Sequence, residues 1–101
     1  MALGIKIASG FDAGSVDRQG RNAEELVALN RRGMPPLEAI RAAAVNAAEL
    51  LGWQDRVGAV ETGKYDDLIA VEADPLADIT VLREVKFVMK AGTIVKDELT
   101  R

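Results

Sequence analysis

The residue best placed to do chemistry in this sequence is an aspartate between glycines, Gly10-Phe11-Asp12-Ala13-Gly14, directly after the β-prone run Ile5-Lys6-Ile7-Ala8. Folds that alternate strands and helices gather catalytic carboxylates at strand ends, where the loops converge on a crevice while the sheet fixes the backbone. The flanking glycines allow a sharp turn that would aim the Asp12 side chain into such a crevice. Asp and Gly also make ordinary turns for steric reasons, and in that case Asp12 does no chemistry. Local sequence leaves both readings open.

Other groups look chemical and fail on mechanical grounds. Gly58-Ala59-Val60-Glu61-Thr62-Gly63-Lys64-Tyr65 has the spacing of a phosphate-binding loop but ends in Tyr rather than Ser or Thr. It also puts Glu61 inside the would-be cradle and runs on into a strand-like segment rather than a helix. The adjacent pairs Glu24-Glu25, Asp66-Asp67 and Asp97-Glu98 cannot act as acid/base dyads, because neighbouring side chains diverge on strands and helices alike. They read as a helix first turn, a solvated turn and a tail. Trp53, the single tryptophan, is expected to pack a helix end onto the β-rich half.

The chain contains no histidine and no cysteine. That excludes Ser/His and Cys/His nucleophilic machinery, thiolate metal sites and an imidazole switch near neutral pH. With 13 Lys and Arg against 16 Asp and Glu over 101 residues, the net charge is −3. The basic residues are scattered, which argues against nucleic acid as a partner. No apolar run approaches a membrane span and the first residues lack a secretory pattern, so no membrane association and a cytoplasmic location are expected.

The elements that must position Asp12 fall into two halves. Asn22 and Glu25 suggest a capping box ahead of a helix of about ten residues that stops at Gly33. Pro35-Pro36 opens a second helix, with Leu37, Ile40, Ala44, Ala47 and Leu51 at helical spacing and Gly52 as its stop. Beyond it, 57–60 and 68–71 read as strands, the latter apolar throughout as if covered on both faces. Asp74-Pro75 begins a turn into a short helical segment ending near Arg83, and 87–90 and 93–96 form a hairpin around Ala91-Gly92. A strand followed by two helices has no parallel neighbour of its own, so the first half looks unfinished.

In order and spacing, these stretches resemble the C-terminal end of the metal-dependent amidohydrolase superfamily, in its imidazolonepropionase-like and prolidase-like branch. They are Gly4-Ile5-Lys6-Ile7-Ala8, Gly10-Phe11-Asp12-Ala13-Gly14, Asn46-Ala47-Ala48-Glu49-Leu50-Leu51-Gly52, Arg56-Val57-Gly58, Gly63-Lys64, Asp67-Leu68, Asp74-Pro75-Leu76 and Val88-Met89-Lys90. The chain departs from the family pattern at Phe11 and Ala44, where Thr is usual, and at Gln19, where His is common.

The resemblance implies an α+β fold: the last strand and helices of a (β/α)8 barrel, then the C-terminal part of its β-sandwich with short hairpins. Residues 1–52 would be the barrel remnant and 53–101 the β-rich segment, packed as one unit and amounting to about a quarter of the enzyme plan. It implies that Asp12 is the family's catalytic aspartate, a general base that can also touch a divalent metal such as zinc. Asp12 would be a metal ligand only if histidines came from another chain, and this chain alone is expected to hold no metal. Hydrolysis of amide or cyclic amide C–N bonds in small substrates would belong to the intact enzyme, with this chain inactive alone. The alternative is a non-catalytic, self-associating module, in which an exposed strand edge and apolar helix faces drive homo-oligomerisation.

Overall fold

Three helices precede a small sheet in the computed structural model, which describes residues 4–12, 14 and 20–99. The helices are α1 (Ala23–Arg31), α2 (Pro36–Ala43) and α3 (Val45–Leu50). Strand β1 (Leu68–Ala70), a 3-10 helix over Ile79–Arg83, and strands β2 (Phe87–Lys90) and β3 (Thr93–Asp97) follow. The strands form one antiparallel sheet in the order β1-β2-β3. The class is α+β.

Helix α1 buries Val27, and Glu24 and Glu25 in its first turn and Arg31 in its last complement the helix dipole. The expected capping box does not form. Asn22 has helical dihedrals, φ −56° and ψ −33°, and makes no side-chain cap. A capping side chain needs a non-helical backbone to turn back onto the first amides. The amides of Glu24 and Glu25 donate instead to the carbonyls of Arg21 and Asn22 at 3.0 and 3.3 Å. The stop at Gly33 is as expected: with φ at +106°, Gly33 donates to Asn30 O at 3.0 Å and Met34 to Leu29 O at 3.1 Å. This paired closure satisfies carbonyls that the helix end would otherwise orphan.

The helix expected from Pro36 to Gly52 is two. It breaks at Ala44, whose φ of −118° and ψ of −85° separate α2 from α3. A close backbone contact lies across from the bend. A Cβ added to Gly58 would stand 2.9 Å from Ala48 Cβ and 3.1 Å from Ala44 O, so the backbone at Gly58 presses against the break itself. Gly52 then closes α3 as Gly33 closes α1, with Gly52 N on Glu49 O and Trp53 N on Ala48 O, 3.1 and 2.9 Å.

The β-rich half corrects three expectations. Residues 57–60 form no strand, because the chain there is spent on turns against the helix break. Strand β1 is an edge strand with one open face, Ile69 being 57% exposed, rather than a strand covered on both sides. Trp53 is 48% exposed, and its ring meets the Arg56 guanidinium at 5.3 Å instead of packing into the core. The hairpin is as expected: Ala91 and Gly92 both have positive φ, 50° and 78°, the combination that matches a two-residue turn to twisted strands.

A small core joins the halves. Val27, Met34, Ala39 and Ile79 pack together, flanked by Ile7, Leu26, Leu29 and Leu82. Around it, Arg83 forks onto Glu24, Nε to Oε1 at 2.7 Å and a second nitrogen to Oε2 at 3.0 Å. Asp78 caps the 3-10 helix through the Thr80 amide and hydroxyl at 3.0 and 2.6 Å. Asp67 Oδ1 accepts from the Ala91 amide at 2.8 Å and Oδ2 from Lys90 at 3.1 Å, which clamps the hairpin turn to the start of β1.

These partners hold three carboxyls below their ordinary values: Glu24 through the Arg83 hydrogen bond, Asp67 through the Ala91 amide, and Asp78 through the Thr80 hydroxyl. A depressed folded value stabilises the fold above the unfolded pKa, and that contribution is lost as pH falls through the folded one. Thermal melts between pH 6 and pH 2 should therefore be flat down to about pH 4 and fall below it. In Asp67→Asn the drop should be shallower, and an unchanged drop would mean that this clamp contributes nothing.

Candidate active-site carboxylate

Asp12 sits at the end of a segment that the chain holds down by unusual means. The expected strand Ile5–Ala8 has no ladder partner among the described residues. It docks instead on α2 and α3. Lys6 Nζ meets Glu49 Oε2 at 2.9 Å, the Asn46 side-chain amide donates to Ile7 O at 2.9 Å, and Ser9 N donates to Ala42 O at 2.8 Å. Ile7 also packs against the core.

Three residues past Ser9, Asp12 is exposed. Its Oδ1 accepts from the Gly14 amide at 3.2 Å, and the φ of +71° at Gly14 is the kind of turn for which the glycine is needed. The arrangement presents one carboxylate, braced from its own loop, to the surface. It can accept a proton or a hydrogen bond there. Phe11 beside it is half-buried, while Ala13 and Gln19 lie outside the described residues.

A divalent metal does not fit these residues alone. Zinc takes three or four nitrogen, sulfur or carboxylate ligands, whereas the chain has no His or Cys. Among the described residues, no group of three or more His, Cys, Asp or Glu could hold an ion.

The remaining sequence candidates do structural jobs. Lys64 pairs with Glu61 at 3.4 Å across the Gly63 turn, and no helix follows, so no phosphate cradle exists there. Glu24 and Asp67 are taken up by Arg83 and by the hairpin turn. No helix among the described residues is long and apolar enough to cross a membrane.

Two features went unread in the sequence. One is an open apolar groove of about 620 Å³ between the helices and β1, lined by Leu26, Ile40, Val57, Val60, Leu68 and Ile69 among others, with Asp12 not among its lining. The other is Asn46. Its signal was there: an asparagine is a poor choice inside an Ala- and Leu-rich helical pattern unless its side chain is needed elsewhere.

Comparison with known proteins bears on this geometry. The model of the amidohydrolase family matches residues 1–95. Ochratoxinase of Aspergillus niger is 42% identical over 98 residues, covering 92% of this chain and 20% of that protein. Imidazolonepropionase of Thermoplasma volcanium is 34% identical over 74 residues, covering 70% of this chain and 18% of that one. Among solved structures, a Xaa-Pro dipeptidase with methionine bound in its active site superposes with a TM-score of 0.86 at 41% identity, over 94% of this chain and 23% of that one. The chain thus spans about one fifth of the length of the relatives it matches.

Proposed function

The chain belongs to the amidohydrolase family, and from that membership we propose that it supplies the general-base carboxylate, Asp12, of an enzyme that hydrolyses amide or cyclic amide C–N bonds and is inactive alone. The observation that carries this reading is the placement of Asp12. It lies exposed in a glycine-bounded loop, after a segment anchored on α2 and α3, inside the stretch that matches the family.

The chemistry asked of Asp12 is proton handling. As water attacks the substrate carbonyl, the carboxylate takes the water proton and the new C–O bond forms. The C–N bond then breaks, and the same proton passes to the departing nitrogen, which returns Asp12 to its ionised form. A proton carrier of this kind contributes about 10²–10⁴-fold to rate, far from a whole enzyme's acceleration. The divalent metal that the resemblance implies would lower the pKa of water and polarise the carbonyl when bound, on side chains that this chain does not supply.

The test is a chimera in which this chain replaces the matching 98 residues of the Aspergillus niger ochratoxinase. The chimera should hydrolyse amide substrates at least about a hundredfold faster than the isolated chain, whose rate should equal the buffer blank. Turnover by the isolated chain would overturn the reading, and so would a folded chimera without activity.

A second reading, a self-associating module, is favoured by one observation. Large apolar side chains such as Leu50, Leu51, Val60 and Val95 are 67–84% exposed, and β1 and β3 are sheet edges. Sedimentation of the isolated chain as a dimer, together with an inactive chimera, would decide for this reading.

A further inference from the structure

Three ties hold the Asp12 segment to α2 and α3. They end on Ala42 of α2 and on Asn46 and Glu49 of α3, the last two three residues apart and so on one face of that helix. In an unbroken helix the Ala42 carbonyl would accept from the Asn46 amide. The break at Ala44 prevents that and leaves the carbonyl to the Ser9 amide at 2.8 Å. One turn on, the Asn46 side chain reaches Ile7 O at 2.9 Å. A backbone donor and a backbone acceptor of the same segment, two residues apart, are thus both satisfied by the broken helix. Gly58 lies close against the break, where an added Cβ would stand 2.9 Å from Ala48 Cβ and 3.1 Å from Ala44 O.

We propose that Asn46 is a positioning residue for Asp12: by holding the Ile7 carbonyl, two residues before the Ser9 amide that donates to Ala42 O, it sets where the chain leaves α2 and α3 and hence where the carboxylate stands. The inference rests on the reading of Asp12 as the working carboxylate, but the position can be measured without catalysis. Lys6 and Glu49 contribute less, since their pair is about half exposed, at 62% and 46%, and such pairs are weak. The Asn46 contact is partly buried and orients a backbone group.

Because the chain has no cysteine, a nitroxide attached through Asp12→Cys labels that site alone. Relaxation of backbone amide signals in α2 and α3 then reports its position, and exchange of the Ser9 amide reports the anchor. In Asn46→Asp, which keeps the shape but loses the donor, Ser9 exchange should quicken about tenfold or more. The relaxation pattern over α2 and α3 should fade while α1 amides exchange as before. Asn46→Gln, which keeps a donor, should restore much of both signals, a rescue that a merely space-filling role would not give. If Asn46→Asp melts α1 as well, Asn46→Ser, whose hydroxyl is too short to reach Ile7, decides on the same readings. Unchanged Ser9 exchange and an unchanged relaxation pattern in a folded variant overturn the proposal. Failure of the reading of Asp12 itself would appear elsewhere, as an inactive chimera with the anchor intact.

Discussion

In the ochratoxinase chimera, Asp12→Asn should lower kcat by about 10²–10⁴-fold and change KM by less than about threefold. Asparagine keeps the size of the side chain and an oxygen to accept the Gly14 amide, now at 3.2 Å, so the loop survives and only the proton acceptor is lost. That separates the two readings left open by the sequence. A turn residue is as well served by Asn as by Asp, and if Asp12 were one, the variant would match the parent. Asp12→Glu should fall between the two, because it keeps the base but moves it by one methylene in a site where placement within about half an ångström decides the rate. Steady-state kinetics of the three chimeras, checked for equal folding, provide the comparison. Equal kcat for Asp12 and Asn at this position would remove Asp12 from the mechanism.

The sequence made the glycine-bounded elements legible because local sterics decide them. Gly33, Gly52 and Gly92 take positive φ as their residue type predicts, whereas the positive φ of Ala91 and the irregular register at Val88 and Met89 are not signalled by residue type. What the sequence concealed was decided by contact between distant segments. Ala44 carries no local sign of a helix break, since alanine is the best helix former, and the break lies where Gly58 approaches closely from fourteen residues away. Ile5–Ala8 has the composition of a strand, but a strand needs a neighbour, and the segment settles for side-chain and single backbone bonds. Ile69 and Val60 have core composition and lie open. Asp12 was visible as a residue, whereas the device that holds its segment was not, because it depends on a helical carbonyl that only an interrupted helix leaves available.

The largest stability effect should come from Ile79→Ala. Six residues are buried among those described, three of them alanines, so that Ile79, Met34 and Val27 supply most of the core volume. Ile79, at 2% exposure, is the member contributed by the C-terminal half, and it packs with Val27, Met34 and Ala39 of the helical half. Truncating a buried isoleucine costs about 2–5 kcal/mol, with the cavity it leaves included, against about 5–15 kcal/mol for the whole of a typical domain. The exposed fork from Arg83 to Glu24 joins the same two halves, but such pairs compensate little. Urea unfolding should therefore show the midpoint collapsing in Ile79→Ala, and a loss under about 1 kcal/mol would mean that the two halves do not share a core. Val60→Ala and Ile69→Ala, at 84% and 57% exposure, should change the isolated chain by no more than about 0.5 kcal/mol. In the chimera a larger cost for the same two changes would show the groove covered by the rest of the ochratoxinase chain. The effects thus divide by burial: the few side chains shared by the two halves carry the stability of the described residues, and the open groove beside them contributes little to it.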